Sequence, residues 1–383
     1  MNSLIVKNAL VKDARGEIRP LEVSVKGGKI ARIAEKIGEN AENIFDAQGA
    51  CLCAGLIDTH FHGAGGFDFC DGSLEALVEI AKLKLREGVS SILPATLTLP
   101  FEALEKSFFA AKKYSELKNG NLPKILGVHL EGPFVNPCMA GAQNPRHLRA
   151  CDAEFAKRLN SIFPIKKLTY APELDENRGF LGEIISMGIA PSCGHSAASF
   201  EEFSKAHGRG LKNITHFGNR LSPITSRDIG AMGAGLMFDD VFIEIIADTL
   251  HLSPDMLSLI LAKKPLSKIV LVTDSMRAAW LGGGVSDLGG LKVLVEGGAA
   301  RLASSGALAG SVLKLNKAVE NIARIANIDI FSAAELASKN AADSLNLKGI
   351  GRICEGCAAD FVLLQESAEV AAVFVSGKLC YKL

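Results

Sequence analysis

The chain has 383 residues, 48% of them hydrophobic, which is enough to bury one large core and a smaller one beside it. Lys+Arg and Asp+Glu both number 42, so the formal net charge is zero and no basic stripe marks a nucleic-acid partner. No run approaches the roughly 18 uninterrupted apolar residues of a membrane span, so the expected partner is a small molecule, to which local positive charge can still answer.

In chain order, Met1-Asn2-Ser3-Leu4-Ile5-Val6-Lys7 reads as a strand and lacks the layout of a signal peptide. With nine cysteines, an odd number, and no such signal, reduced thiols and a cytoplasmic location are expected. Residues 3–12 and 21–33 carry short or alternating apolar runs, with Gly27-Gly28 as a turn. The other end is similar: residues 360–364 and 371–375 are β-rich, and Ser376-Gly377 is a turn. Just before them, Cys354-Glu355-Gly356-Cys357 reads as a turn between strands, because one short C-x-x-C is weak evidence for zinc or redox chemistry. The two ends are therefore expected to form one small β-sandwich domain, 1–53 plus 350–383, with a catalytic domain over 54–349 inserted between them.

The central region alternates strand and helix. Strands are expected over 55–60, 91–96, 124–130, 167–171, 188–193, 213–216, 241–247 and 268–273. The clearer helices are 73–87, 101–117, 154–162, 199–206 and 254–264, followed by 311–325 and 332–345. Ser73 with Glu75, and Ser253-Pro254-Asp255, supply helix starts. Eight strands with intervening helices predict an α/β fold, a (β/α)8 TIM-like barrel. A doubly wound sheet is the runner-up, but it leaves unexplained why ligand-type residues come from strands spread over the whole chain.

Those residues sit at strand ends. The first strand runs into His60-Phe61-His62, whose two imidazoles project to one face because side chains alternate along an extended segment. Ile125-Leu126-Gly127-Val128-His129-Leu130-Glu131 ends in a carboxylate, which packing alone explains poorly. His129, two residues earlier, reads as a satisfied barrel-interior histidine. His195 and His216 close two further strands, and Asp274 closes Ile269-Val270-Leu271-Val272-Thr273. Polar ligand types repeated at strand C-termini are what a barrel needs to hold a metal on its top face. Glu131, His195 and His216 leave a coordination position for water, whose pKa a bound divalent metal lowers towards ~7. Asp274 is placed to take that water's proton and pass it to a leaving group.

Taken together these motifs resemble the N-acetylglucosamine-6-phosphate deacetylase family of the amidohydrolase superfamily. The likeness runs through Ala54–Gly63, His129-Leu130-Glu131-Gly132-Pro133-Phe134, Gly194-His195-Ser196, Thr215-His216, Ala247-Asp248 with His251, Leu271-Val272-Thr273-Asp274-Ser275-Met276 and Leu308-Ala309-Gly310-Ser311. It covers essentially the full length. The resemblance implies hydrolysis of the acetamide of N-acetylglucosamine 6-phosphate, giving glucosamine 6-phosphate and acetate. Glu131, His195 and His216 would hold the main metal. His60 and His62 would complete a second site, with Glu131 and Asp274 shared, so one or two divalent ions are implied: zinc first, with iron(II) and others also suited. Asp274 would be the general base and acid. Gly218, Asn219, Arg227 and His251 would bind the sugar phosphate, with Arg227 reaching across a homodimer interface.

The sequence departs from the family around the substrate. Gly141-Ala142-Gln143 stands where Gly-Ala-His is usual, and Asn219-Arg220-Leu221 where Asn-Ala-Met is usual. Gln143 keeps hydrogen-bonding capacity without the imidazole. Arg220 either adds a phosphate contact or fills the pocket and changes the substrate. Arg277 and Trp280 are also unusual. Two alternatives follow: a deacylase of the same superfamily acting on another N-acyl amino sugar such as N-acetylgalactosamine 6-phosphate, or a non-catalytic scaffold, which the retained ligand set disfavours. The carboxylated lysine of many cyclic amidases is not expected, because strand four ends Tyr170-Ala171-Pro172-Glu173.

Overall fold

The computed structural model describes residues 3–13, 15–118, 120–175 and 179–383. Met1 and Asn2, the start of the expected N-terminal strand, lie outside the described residues; the strand itself runs over Ser3–Lys12. Strands from both ends of the chain share one eight-stranded sheet. Its order is Lys378–Lys382, Val370–Val375, Phe361–Leu364, Cys51–Ala54, Ser3–Lys12, Ile18–Lys26 and Lys29–Ala34, with Asn43–Asp46 also pairing Ser3–Lys12. Leu52 faces Leu363 across the antiparallel junction that joins the two ends. One face of this sheet closes over its own apolar cluster, including Val6, Val23, Leu52, Phe361 and Phe374.

Gly55 alone separates this sheet from the first central strand. A Cβ there would lie 2.2 Å from Ser90 Oγ, so glycine is required where the chain passes from one layer to the next. Eight parallel strands follow: β1 (Leu56–Asp58), β2 (Val89–Ile92), β3 (Val128–Glu131), β4 (Ile165–Tyr170), β5 (Ala190–Cys193), β6 (Asn213–Ile214), β7 (Phe242–Ile245) and β8 (Ile269–Leu271). β1 pairs β2, which on its other side pairs the short parallel strand Lys124–Ile125 that precedes β3, and β3 to β8 form one six-stranded parallel sheet in chain order. Two crossings connect these sheets. Ala95 bridges His129 beside β3, and on the other side the Asp274 N–H donates to the His60 carbonyl at 2.8 Å. The arrangement is TIM-barrel-like. β2, β3 and β5 are buried along their whole length, as strands covered on both faces must be.

The outer helices are α1 (Leu74–Leu85), α2 (Phe101–Ser115), α3 (Ala153–Ile162), α4 (Phe180–Ser186), α5 (Phe200–Gly208), α6 (Gly230–Met237), α7 (Pro254–Lys263), α8 (Leu315–Ala326), α9 (Ile330–Leu336) and α10 (Lys339–Ser344). Ser73 and Ser253 cap α1 and α7 through their hydroxyls. The single helix expected over 332–345 is two, α9 and α10. The Ala337 carbonyl accepts from the Ile57 amide of β1 at 2.7 Å, which diverts it from the helical ladder. α6 was not foreseen, because Gly230, Gly233 and Gly235 weaken any helical signal. At Gly235 a Cβ would stand 2.6 Å from the Phe217 ring, so close packing behind His216 demands the poor helix former. Also unforeseen is a three-stranded meander, Gly284–Leu288, Leu291–Glu296 and Ala299–Leu302. Its cluster of Leu288, Val293, Val295 and Leu302 packs on Leu97 and Met276.

The expectation of nine reduced thiols is corrected at one place. Cys354 and Cys357 form a disulfide, while Cys51, Cys53, Cys70, Cys138, Cys151, Cys193 and Cys380 are free. The turn through Gly356, at φ +83°, sets the two Cα atoms 5.6 Å apart, inside the range a disulfide spans. The Ile30 amide donates to the Cys357 carbonyl, so the turn is tied into the terminal sheet.

The seam between β8 and β1 is held by a buried cation. Lys84 of α1 reaches Asp58 at 2.9 Å, Glu87 at 3.1 Å, Thr273 Oγ1 at 3.2 Å and Ser275 Oγ at 3.0 Å. Thr273 Oγ1 in turn donates to Asp58 at 2.7 Å. Both carboxylates and the ammonium are fully buried. Replacing Lys84 with Met leaves two buried carboxylates without a counter-charge, and the expected cost is about 3–5 kcal/mol. It should appear as a marked fall in the urea midpoint; an unchanged midpoint would remove Lys84 from the stability of the seam.

Candidate metal centre

The barrel mouth gathers the strand-end residues into two adjoining triads, His60–His62–Asp274 and Glu131–His195–His216, all buried. Within each triad the potential ligand atoms lie within 4.8 Å of one another. Glu131 joins the two. Its Oε1 lies 3.2 Å from His195 Nε2, 3.2 Å from His216 Nε2 and 3.5 Å from His60 Nε2, and its Oε2 lies 3.3 Å from His62 Nε2. Asp274 Oδ1 lies 3.2 Å from His62 Nε2 and 3.6 Å from His60 Nε2. His195, His216 and Asp274 have φ of +48°, +31° and +48°. Three non-glycine residues in the left-handed region, each at the end of a strand, turn their side chains across the mouth at a cost in backbone strain.

The far side of each imidazole decides what the near side can do. His195 Nδ1 faces the Met139 carbonyl at 3.0 Å, His62 Nδ1 the Ala95 carbonyl at 3.3 Å, and His60 Nδ1 the Glu244 carboxylate at 3.2 Å. All three partners only accept, so Nδ1 carries the proton, and in the neutral ring the Nε2 lone pair points inward. There it meets other lone pairs: His195 Nε2 is 3.0 Å from His216 Nε2, and the carboxylates of Glu131 and Asp274 add more. Only protons or metal cations reconcile such a set. Without a metal, burial works against a charged His60, but Glu131 and then Asp274 outweigh it and push its pKa up to about 9. Burial likewise opposes ionisation of Asp274, yet His60 and His62 hold its carboxyl below the usual range. Protons do not satisfy the whole set, because His60 Nε2 and Asp274 Oδ1 remain buried without a hydrogen-bond partner. Two carboxylates and four inward nitrogens fit one or two divalent cations of the kind that accept imidazole and carboxylate.

A cavity of about 320 Å³ opens onto this centre. Of the expected substrate residues, Gln143, Asn219, Arg220 and His251 line it, and Gly218 and Arg227 do not. Gln143 is engaged at both ends of its amide: Nε2 donates to Glu131 Oε2 at 2.8 Å, and Oε1 accepts from the Thr98 amide at 2.7 Å. It therefore orients Glu131. His251 pairs through Nδ1 with Asp248 at 2.7 Å, which leaves Nε2 for a ligand. Arg220 is exposed at φ +50° and lies across Gly141, where a Cβ would come 2.9 Å from its Nε. Arg227 is exposed on the loop before α6. His129 lies in the interior as expected but is satisfied only on one side: Nε2 meets Thr169 Oγ1 at 2.7 Å, Nδ1 is buried without a partner, and the ring packs edge-on to His60. Arg277 pairs with Asp71 and Asp287, and Trp280 donates to Glu87, all away from the cavity. The cavity residues that sequence reasoning missed are Leu97, Leu288 and Arg301, whereas Leu308 and Gly310 come from the Leu308-Ala309-Gly310-Ser311 segment of the family likeness. The alternation Leu291-Lys292-Val293-Leu294-Val295 between Gly289-Gly290 and Gly297-Gly298 was the available signal for the meander that brings Leu288 and Arg301.

The amidohydrolase family model matches residues 51–380. N-acetylglucosamine-6-phosphate deacetylase of Lysinibacillus sphaericus is 33% identical over 98% of this chain and 97% of its own. N-acetylgalactosamine-6-phosphate deacetylase of Escherichia coli O157:H7 is 32% identical over 86% of this chain and 87% of its own. The crystal structure of N-acetylglucosamine-6-phosphate deacetylase from Thermotoga maritima superposes with a TM-score of 0.89 at 36% identity, covering 99% of this chain and 100% of that one. The chain belongs to the amidohydrolase family.

If Glu131 is shared by both triads, Glu131→Ala should bring the metal content of the purified, folded protein close to zero when measured by elemental analysis. Retention of the wild-type content would exclude it as a shared ligand.

Proposed function

We propose that this chain is a metal-dependent hydrolase that deacetylates N-acetylglucosamine 6-phosphate to glucosamine 6-phosphate and acetate. The observation that carries the reading is the pair of ligand triads joined at Glu131, with Asp274 on the wall of a cavity whose rim carries Arg220, Arg301 and His251. Glu131, His195 and His216 would hold one divalent ion and His60 and His62 a second, with zinc the first candidate. When bound, the metal polarises the acetamide carbonyl and makes water acidic enough to deprotonate near neutral pH.

The chain's own residues account for the remaining steps. Asp274, kept ionised by its histidine neighbours, accepts a proton from the water that adds to the carbonyl. It then delivers that proton to the amide nitrogen as the C–N bond breaks, so acetate and the free amine leave. Burial of His60, Glu131 and Asp274 restricts bulk water and strengthens these electrostatic effects. Asn219 uses its amide N–H groups on the His216 and Phe217 carbonyls, at 3.3 and 3.4 Å, which leaves its Oδ1 for a sugar hydroxyl. The guanidiniums of Arg220 and Arg301 supply charge for the phosphate. Gly218 enters this reading as a backbone N–H donor beside Asn219, and Arg227 through a homodimer in which it approaches the partner's site.

The parallel strands are read as one (β/α)8 barrel over 54–349, and the terminal sheet as a small sandwich domain of 1–53 plus 350–383. No described helix is long and apolar enough to cross a membrane. A cytoplasmic location fits the phosphorylated substrate. The galactosamine epimer is the alternative, supported by the similarity to its deacetylase. Acetate release from the two epimers and from unphosphorylated N-acetylglucosamine decides the matter: strong turnover confined to the glucosamine phosphate is expected, and none from either phosphate would move the substrate elsewhere.

Asp274→Asn should retain bound metal and lose roughly 10²–10⁴ in rate, the scale of a general acid–base group; full activity would remove Asp274 from that role. Arg220→Ala should raise KM for the phosphorylated sugar about tenfold or more, the worth of a charged hydrogen bond, and leave the unphosphorylated analogue nearly unchanged. An equal effect on both would take Arg220 off the phosphate.

A further inference from the structure

Below the metal centre, inside the barrel, lies an ion pair that the proposed chemistry does not use. Glu244 of β7 and Lys167 of β4 are both buried and in direct contact. Lys167 is three residues short of the end of β4, and its ammonium points at Glu244 and not into the cavity. Such a pair is costly to desolvate, and an apolar pair of similar volume would often stabilise a barrel interior as well or better. Its other contacts show what it serves. Glu244 Oε2 accepts from His60 Nδ1 at 3.2 Å and more weakly from the His216 amide at 3.4 Å. Glu244 Oε1 accepts from Thr59 Oγ1 at 3.3 Å, beside His60.

Three histidines of the centre have an identified partner behind the ring, and they are not equivalent. His62 and His195 donate to neutral backbone carbonyls, Ala95 and Met139. His60 alone donates to a carboxylate. A carboxylate behind a ligating imidazole fixes its tautomer and raises the basicity of the opposite nitrogen, and removing such a partner typically costs 10–100-fold in metal affinity. Lys167 keeps Glu244 in place and compensates its charge, so the pair adds no net negative charge beneath the two carboxylates of the centre.

We propose that Glu244, anchored by Lys167, is a positioning residue for the second metal site: it makes His60 a strong ligand, and so sets whether this chain holds one ion or two. The proposal rests on the metal-centre reading and is independent of the identity of the sugar. A Glu244→Gln change alone leaves Lys167 unpaired and risks misfolding. The double variant Lys167→Met/Glu244→Gln removes the charges together and keeps an amide oxygen that can still accept from His60.

The test is a Zn²⁺ titration of the metal-depleted full-length protein against a chromophoric chelator, with thermal melting to verify folding. Wild type is expected to bind two equivalents. The folded double variant should bind the first with affinity unchanged within a few-fold and the second 10–100-fold more weakly. His60→Ala should match that pattern. A merely structural role for the pair would weaken both steps together, and that result overturns the proposal. So does an unchanged second step in the double variant, or a wild type that binds a single equivalent with an affinity His60→Ala does not alter. Failure of the sugar assignment alone leaves the titration as predicted here.

Discussion

Inward-facing lone pairs crowd the mouth of this barrel, and the rest of the molecule is arranged to hold them there. Four imidazole nitrogens and two carboxylates occupy one buried volume, with His195 Nε2 and His216 Nε2 only 3.0 Å apart. In the absence of a cation this arrangement is unfavourable, because like partial charges face one another where the effective dielectric is low. The left-handed backbone at His195, His216 and Asp274 adds strain, on the order of 1–3 kcal/mol per residue. A ligand that binds only the folded chain returns stability in proportion to its affinity and concentration. The centre is therefore a place where the protein gives up stability in exchange for a preorganised site.

The surrounding scaffold holds this centre in place with buried cations one layer out. Lys84 clamps the seam where β8 meets β1, and Thr273 and Ser275, both in its grip, flank Asp274. Lys167 occupies the interior on the opposite side and holds Glu244. Neither lysine reaches the cavity. Both fix carboxylates that would otherwise need protons, and so the charged frame stays set while the mouth exchanges protons or metal. Strands, with α1 packed on them, locate a site more tightly than loops can, and His60, His62 and His195 are each held by a partner behind the ring.

Much of the centre was legible in the sequence. His60, His62, Glu131, His195, His216 and Asp274 each follow an apolar run, so a ligand type appears just where a strand leaves the core. The frame behind them was harder to read. Glu244 lies within Val241-Phe242-Ile243-Glu244-Ile245-Ile246, and a lone charge in so apolar a strand needs a buried partner. That signal was present, but nothing local names Lys167 as the partner, since it sits in Lys166-Lys167 and resembles a solvated pair. Lys84 was hidden for the same reason among the basic residues of α1. The meander was missed because the expected barrel had accounted for the strand signals. α6 was missed because its glycines are chosen for close packing and not for helix propensity. Cys354–Cys357 shows the limit of reasoning from compartment alone, since a three-residue separation and a tight turn bring the sulfurs together whatever the other seven cysteines do.

The departures at residues 143 and 220 make physical sense as one change in the rim of the cavity. The imidazole expected from the family resemblance at position 143 would have faced the sugar. Gln143 instead spans Thr98 and Glu131, so it orients the Glu131 carboxylate and keeps one N–H and one lone pair beyond those two bonds. Across the same loop, Arg220 rests on Gly141, with its Nε 2.9 Å from where a side chain would begin. The rim has thus lost a neutral ring contact and gained a guanidinium that has no ion-pair partner among the described residues. Arg301 adds a second cation from the meander, its guanidinium donating to the Gly306 carbonyl at 3.0 Å and to no carboxylate among the described residues. Charge-assisted contacts are roughly twice as strong as neutral ones. With Arg220 and Arg301 both lining the cavity, its rim presents two guanidiniums to any anionic group that enters.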